Sequence, residues 1–371
     1  TRHGVVLAKS IPAKKFGIHT GEPVVNALKK CPNLVMAPPN HDLYHAYSCR
    51  MMDFLHSLTP DIEQVSIDEC FLDFTGISHR YPSPYTAARY IKDEIHSRFG
   101  FTVNVGISSN KLLAKMASDF EKPDKVHTLF PEEIPVKMWP LPVRDLLFLG
   151  KSSEKKLKEA GIRTIGDLAH EKKPKIQALL GEKAGQQLYR YARGLDDSPV
   201  KMKPDEAKGF SLETTFNDDL VSMEQALPIL LEQCDVLAAR MRRKKKKCTC
   251  ISVTFRTLDF QNRSHQMKLK NATDITDEIY FHARKLFEES WRGQPLRLLG
   301  VSLTGLTDDS FEQLSFFEDT REKERRQKLD AALDSIRLKY GNDKVTRASI
   351  MNSTARIGRK AKAQMENERE Q

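Results

Sequence analysis

Three features of the sequence predict a multidomain α+β chain. From Asp42 to Asp119 the apolar spacing changes in the order helix, strand, strand, helix, strand, helix, which suggests a mixed sheet with helices on one face. Residues 131–203 read as a helical hairpin region with glycines at its turns. From Phe210 to Leu303 the order strand, helix, strand, strand, helix, strand describes a second compact α+β unit. A chain of 371 residues accommodates about two to four such cores.

Composition narrows the function classes. Sixty Lys and Arg against fifty Asp and Glu leave a net charge of +10, which favours a polyanionic partner without naming one. No apolar run approaches the roughly 20 residues of a membrane span. The N-terminus, Thr1-Arg2-His3-Gly4, has no signal-peptide layout; it also lacks Met, so further sequence is expected upstream. Cys31, Cys49, Cys70, Cys234, Cys248 and Cys250 show no zinc spacing and read as reduced thiols of a cytosolic protein.

In chain order, the apolar run Val5-Val6-Leu7 opens the sequence as a short strand. A Pro-started turn, Ile11 to Phe16, ends at Gly17 and projects Lys14 and Lys15, either as solvated lysines or as a phosphate grip at a helix start. A helix over Pro23–Lys30 stops at Cys31-Pro32. The spacing of Leu43, Tyr47, Met51, Phe54 and Leu58 predicts a helix over 42–58 with those residues on one face. Next comes Gln64-Val65-Ser66-Ile67-Asp68-Glu69-Cys70-Phe71-Leu72-Asp73. Neighbouring strand residues face opposite ways, so Asp68 and Glu69 serve one site only if the strand breaks there. A hairpin with Val65 and Ile67 on one arm and Phe71 and Leu72 on the other does this, leaving either a solvated acidic tip or a cation site. A helix over 86–99 closes at Gly100, a strand spans 102–107, and Ser108 or Ser109 caps a helix over 111–119.

The next region contains Leu146-Leu147-Phe148-Leu149-Gly150-Lys151-Ser152-Ser153 and Gly161-Ile162-Arg163-Thr164-Ile165-Gly166-Asp167-Leu168. A tight turn before a helix presents backbone N–H groups that a phosphate can occupy. Residues 204–208 are a polar linker. Beyond it the expected elements are a strand (210–216), helix (223–243), strands (249–258 and 264–269), helix (275–291) and strand (296–303). Arg240, Arg242, Arg243 and Lys244 to Lys247 put seven cations in eight residues at the end of the first helix, more than dipole capping needs, and point to salt-dependent phosphate contact. After residue 306 the exposed pattern Gln313-Leu314-Ser315-Phe316-Phe317 calls for a partner or for docking on its own domain. Residues 321–340 read as an amphipathic helix with Leu329, Leu333, Ile336 and Tyr340 on one face, followed by a basic, apolar-poor tail from Lys344.

The segments IPAKKFGI, DLYHAYS, SIDECFLDFTG and VNVGISSNKLLAKMASDFEKPD, in that order and at these intervals, resemble the Y-family (DinB/UmuC-type) translesion DNA polymerases over about residues 2–320. The resemblance implies a right-hand architecture: fingers and the start of the palm (1–40), palm (41–130), helix-hairpin-helix thumb (131–203), linker, little finger (209–306) and a tail (307–371). It implies template-directed DNA synthesis across damage by a cytoplasmic bacterial monomer, with primer-template DNA and deoxynucleoside triphosphates as substrates and two Mg²⁺ ions.

By the same resemblance Asp68 and Glu69 are metal-binding catalytic residues. Lys14 and Lys122 meet the triphosphate, Lys14 standing where the family usually has arginine. Ala8 and Ile11 stand near the nucleotide in place of a threonine and a tyrosine, and Gly4 and Val5 form a small roof over the new base pair. Gly150, Lys151 and Ser152 would hold DNA, with Phe148 in place of the first hairpin glycine; Arg240, Arg242, Arg243, Lys244 and Lys245 would hold it in the little finger. Gln313, Leu314, Phe316 and Phe317 resemble the bacterial sliding-clamp peptide. The family's first strand, which carries Asp-x-Asp, is not among these residues. The alternative is a non-catalytic, clamp-tethered DNA-binding relative; a cyclase-like palm would leave the thumb and the clamp peptide without a role.

Overall fold

The computed structural model describes residues 4–203, 205–308, 320–341 and 344–350. The chain divides into two compact units, residues 38–205 and residues 1–37 with 206–371.

In the N-terminal segment the expected strand is only a bridge, Val5 to Pro23, supported by N–H donation from Val6 to Glu22 and from Val24 to Gly4. Helix α1 (Ile11–Lys15) is capped by Ser10 Oγ, which accepts from Ala13 N–H, and the turn after it passes through Gly17 at φ 72°. Helix α2 (Val24–Lys30) stops at Cys31 as expected.

In residues 38–205, α3 (His41–His56) packs with strands β1 (Ile62–Gln64) and β2 (Cys70–Leu72) and helix α4 (Pro84–Phe99) around Met51, Met52, Phe54, Leu55, Ile91 and Ile95. Of the apolar face expected on α3, Met51 and Phe54 are buried whereas Leu43 is 48% exposed, since the packing begins only a turn and a half later. Helix α4 starts at its Ser83 cap and ends where Gly100 takes φ 75°. Strand β3 (Val105–Ile107) pairs in parallel with β4 (Val126–Thr128), so two separate two-stranded sheets replace the single mixed sheet expected. The cap of α5 (Lys111–Ser118) is Asn110, whose Oδ1 accepts from Leu113 N–H at 2.9 Å; Ser108 Oγ instead donates to Leu129 O.

Helix α5 lies against β3 so closely that a β-carbon on Gly106 would stand 1.9 Å from Ala114 O and 2.6 Å from Ser118 N. Gly106→Ala should therefore destabilise this unit by about 2–3 kcal/mol, read as a lower urea midpoint. Unchanged stability would show that α5 can retreat without loss.

One core then runs without a break from Leu112 on α5 to Ala192, across the boundary expected at 130/131. It takes in a π-helical turn (Ile134–Met138) and helices α6 (Lys151–Glu159), α7 (Ile165–His170), α8 (Lys173–Leu180) and α9 (Glu182–Tyr191). Between α6 and α7, Gly161 sits at φ 85° while Ile162 N–H closes on Leu157 O at 2.9 Å, a left-handed helix stop. Thr164 and Asp167 cap the start of α7 reciprocally.

In residues 206–371, β5 (Gly209–Leu220), β6 (Lys246–Thr257), β7 (Asn262–Thr273) and β8 (Leu296–Asp308) form an antiparallel sheet of order β5-β8-β6-β7. Helices α10 (Met223–Arg243) and α11 (Thr276–Ser290) cover one face, burying Ile251, Val253, Phe255, Leu299, Val301 and Leu303. The strands run longer than the sequence suggested, because their polar ends still pair with neighbouring strands.

Helix α12 (Thr320–Tyr340) reverses an expectation. Its Leu329, Ile336 and Tyr340 are exposed, while Asp330 and Arg337 are buried. It is held by charge: Asp330 and Asp334 meet Arg242 at 3.2 and 2.7 Å, and Arg337 meets Asp235 of α10 at 2.7 Å. Residues 344–350 are anchored too. Arg347 bonds Asp277 and Asp330 at 2.7 and 2.8 Å, and Ile350 is 1% exposed.

Candidate functional site

The acidic pair lies on the loop between β1 and β2 rather than at the rim of a long hairpin. The pleat ends at Gln64, and Val65 and Ile67, expected on a strand arm, are exposed loop residues. Polar side chains explain the break. Ser66 Oγ donates to Asp68 Oδ1 at 2.7 Å, and Glu69 O accepts from Val65 and Ser66 N–H at 2.9 and 3.1 Å. Ser48 Oγ of α3 donates to Ile67 O, and Gln64 Nε2 donates to Ser66 O at 3.0 Å, tying the loop to the helix beneath it. Asp68 and Glu69 are therefore both exposed on one braced turn.

Helix α5 sets the charge around this turn. Lys115 Nζ lies 2.7 Å from Glu69 Oε1 and 3.3 Å from Asp119, and Asp119 lies 2.7 Å from Lys122. Burial works against the charge on Lys115, but its bond to Glu69 and the nearby Asp119 outweigh it and hold its pKa above the usual lysine value. Asp119 is likewise resisted by burial yet held below the usual carboxylate range by Lys122 and Lys115. The C-terminal end of α5 and the residues just beyond it thus join Glu69 in an alternating chain, Glu69–Lys115–Asp119–Lys122. It links two residues of the expected site and brings in Lys115 and Asp119, which sequence reading did not single out. Their i, i+4 spacing was visible; the contact with Glu69, 46 positions away, was not. One turn earlier, Lys111 bonds Glu63 at 2.8 Å and stands over the Phe71 ring at 5.6 Å, fixing β1 and β2 to the same helix.

As magnesium ligands Asp68 and Glu69 offer hard oxygens, and Glu69 already accepts one cation, Lys115. Among the described residues no group of three or more His, Cys, Asp or Glu gathers as a metal site. The pair fits as part of a magnesium site that substrate phosphates and water would share.

The other expected residues sit on other elements of the chain. Lys14 is exposed in the last turn of the five-residue α1, not at a helix start; Ile11, Ala8 and Val5 are exposed and Gly4 is partly so. Gly150 is the N-cap of α6 with no side-chain cap bond, and Lys151 and Ser152 are exposed in its first turn. Phe148, just before it, takes φ 65°. The basic cluster divides. Arg240, Arg243, Lys244 and Lys245 are exposed, but Arg242 is spent on Asp330, Asp334 and the carbonyl of Asp274, so its expected role in phosphate contact gives way to holding α12. Lys246 is paired with Glu206 and Asp308. Gln313, Leu314, Phe316 and Phe317 lie outside the described residues.

The sheet face opposite α10 and α11 is polar. Ser252, Thr254 and Ser264 share hydroxyl hydrogen bonds of 3.1 and 3.4 Å, and Arg256 donates to Asn262. The alternation Ser252, Val253, Thr254, Phe255, Arg256 carried that signal in the sequence.

The chain matches the impB/mucB/samB family over residues 1–119, that family's C-terminal domain over 207–316, and the thumb domain described for DNA polymerase-iota over 144–196. DNA polymerase IV of Clostridium acetobutylicum is 48% identical over 351 residues, covering 95% of this chain and 88% of that protein. DNA polymerase IV of Alkaliphilus oremlandii is 39% identical, covering 94% and 90%. Among solved structures, a Dbh-based Y-family DNA polymerase chimera superimposes with TM-score 0.71 over 82% of this chain and 88% of its own, at 24% identity, a likeness of fold. DinB from Sulfolobus solfataricus gives TM-score 0.53 at 25% identity over 82% and 89%. Identity of this depth along nearly the whole length, on a matching fold, establishes that the chain belongs to the impB/mucB/samB family, the bacterial Y-family DNA polymerases.

Proposed function

We propose that the protein extends a DNA primer across damaged template positions, with Asp68 and Glu69 as the part of the metal site that this chain's palm supplies. The observation that carries the reading is the braced turn bearing both carboxylates against the Lys115–Asp119–Lys122 chain. Magnesium bound there would lower the pKa of the primer 3′ hydroxyl and offset charge on the triphosphate. The protein's own contribution is positional. Ser66 orients Asp68, while Lys115 holds Glu69 and offsets the repulsion between adjacent carboxylates. Lys122 exchanges Asp119 for a triphosphate oxygen when the nucleotide arrives, and Lys14 adds a second cation. Ile11, Ala8, Gly4 and Val5 supply small and apolar surface to the nucleotide and the new base pair.

The thumb holds the duplex through Gly150, Lys151 and Ser152. The little finger holds it through the exposed cations at the end of α10 and the hydroxyl-rich sheet face, both without base readout. The test is primer extension past an abasic site with Mg²⁺, using this chain joined to whatever native sequence precedes Thr1. Extension supports the reading; DNA binding without extension supports the clamp-tethered, non-catalytic alternative.

Recruitment is a separate part of the proposal. The Gln313, Leu314, Phe316 and Phe317 pattern suits a sliding-clamp pocket that buries two aromatics. Replacing Phe316 and Phe317 by Ala should weaken clamp binding at least about a hundredfold while leaving primer-template affinity unchanged, because two buried rings account for roughly 3 kcal/mol or more. Equal clamp affinity before and after removes the assignment.

A further inference from the structure

The run Leu146-Leu147-Phe148-Leu149 sends three of its four apolar side chains toward the thumb core and one away from it. Leu146 is 2% exposed and Leu147 and Leu149 pack against the core, whereas Phe148 is 72% exposed. Phe148 also adopts φ 65°, a backbone region in which a β-carbon is strained and glycine is at ease. Its ring lies 6.1 Å from that of Tyr191 at the end of α9, so two aromatic rings stand together at this corner. Neither the exposure nor the backbone favours phenylalanine for folding. A strained, exposed large side chain on a turn is the pattern of a residue kept for contact with a ligand.

The surroundings say which ligand. Gly150 and the exposed Lys151 follow directly, whereas Arg190, next to Tyr191, is paired with Asp197. Glu154, the acid in the first turn of α6, is tied to Lys158, which offsets its repulsion of an anion. An exposed apolar ring beside an exposed lysine matches a nucleic-acid strand, which alternates phosphates with apolar sugar and base faces. We infer that Phe148 is a DNA-contact residue whose ring packs on the sugar–base face of a strand held at the thumb, while Lys151 meets the adjoining phosphate. The inference rests on the thumb's proposed role as a DNA clamp and adds an apolar, sequence-tolerant contact to it.

The test compares the whole protein with Phe148→Gly, Phe148→Tyr and Lys151→Gln on a primer-template duplex over a range of salt, with melting temperatures alongside. Phe148→Gly should melt a few degrees higher, because the strain is relieved, yet bind DNA roughly five- to tenfold more weakly. Its slope of log Kd against log salt should be unchanged, since no charge is lost. Phe148→Tyr should retain affinity. Lys151→Gln should weaken binding and lower the slope by about one.

Undiminished affinity in Phe148→Gly overturns the inference, and undiminished affinity with lost self-association assigns the ring to a protein partner instead. A lower melting temperature together with weaker binding assigns it to packing and also overturns it. If Lys151→Gln leaves both affinity and slope unchanged, the thumb's role as a DNA clamp fails, and this inference falls with it.

Discussion

Asp68→Ala should lower the rate of nucleotide incorporation by at least about a thousandfold, roughly 4 kcal/mol of transition-state stabilisation, with the melting temperature unchanged. The two halves of this result come from different features. Asp68 is exposed and accepts its hydrogen bond from Ser66 at the surface, so its removal leaves no buried group unpaired. As the proposed metal ligand, however, it has no ready replacement, because Glu69 is already the other carboxylate of the proposed site. Single-turnover incorporation with saturating nucleotide separates this chemical effect from weaker binding. Incorporation within tenfold of the parent would show that the turn is an acidic hairpin tip and nothing more.

Arg337→Ala should destabilise the C-terminal unit by about 3–5 kcal/mol. Asp235 is 4% exposed and Arg337 8%, and their bond is 2.7 Å, so removing the arginine leaves a buried carboxylate that faces, among the described residues, the more distant Arg347 Nε at 3.5 Å. The loss should appear in the urea midpoint of this unit and as faster proteolysis of α12. The double replacement Asp235→Leu with Arg337→Met should recover much of the stability, because an uncharged, similarly sized pair carries no desolvation penalty. A single mutant as stable as the parent would mean that the Arg337–Asp235 pair contributes nothing to the stability of this unit.

The same helix shows where sequence reading stops. Its apolar positions Leu329, Leu333, Ile336 and Tyr340 have helical spacing, and an amphipathic reading buries them. The partners that decide the burial, Arg242 and Asp235, lie far away in sequence, and local periodicity has no access to ionic contacts over that distance. Elements governed by their own residues were legible. Helix α10 runs Met223–Arg243 as expected, because Ser222 accepts from Gln225 N–H at its start and the apolar stripe continues to Met241. Gly100 ends α4 for an equally local reason. Strand β4, three half-buried residues, offers no period to detect, and its pairing with β3 depends on the intervening helix. The cap of α5 is Asn110 rather than the expected Ser108 or Ser109, three competent residues in a row, and Ser108 is instead drawn into a tertiary bond to Leu129.

For the site, the motif around Asp68 and Glu69 was visible together with its hairpin. What Ser48, Lys111 and Lys115 do to hold it became visible only when α3 and α5 were packed against it.

The central claim, that Asp68 supplies a metal-binding oxygen for nucleotidyl transfer, is tested most directly by exchanging that oxygen for sulfur. Asp68→Cys, in this chain joined to any native sequence that precedes Thr1, should be nearly inactive in primer extension with Mg²⁺ and recover activity when Mg²⁺ is supplemented with a thiophilic ion such as Cd²⁺. Extension by Asp68→Cys with Mg²⁺ alone at the parent's rate would contradict the claim.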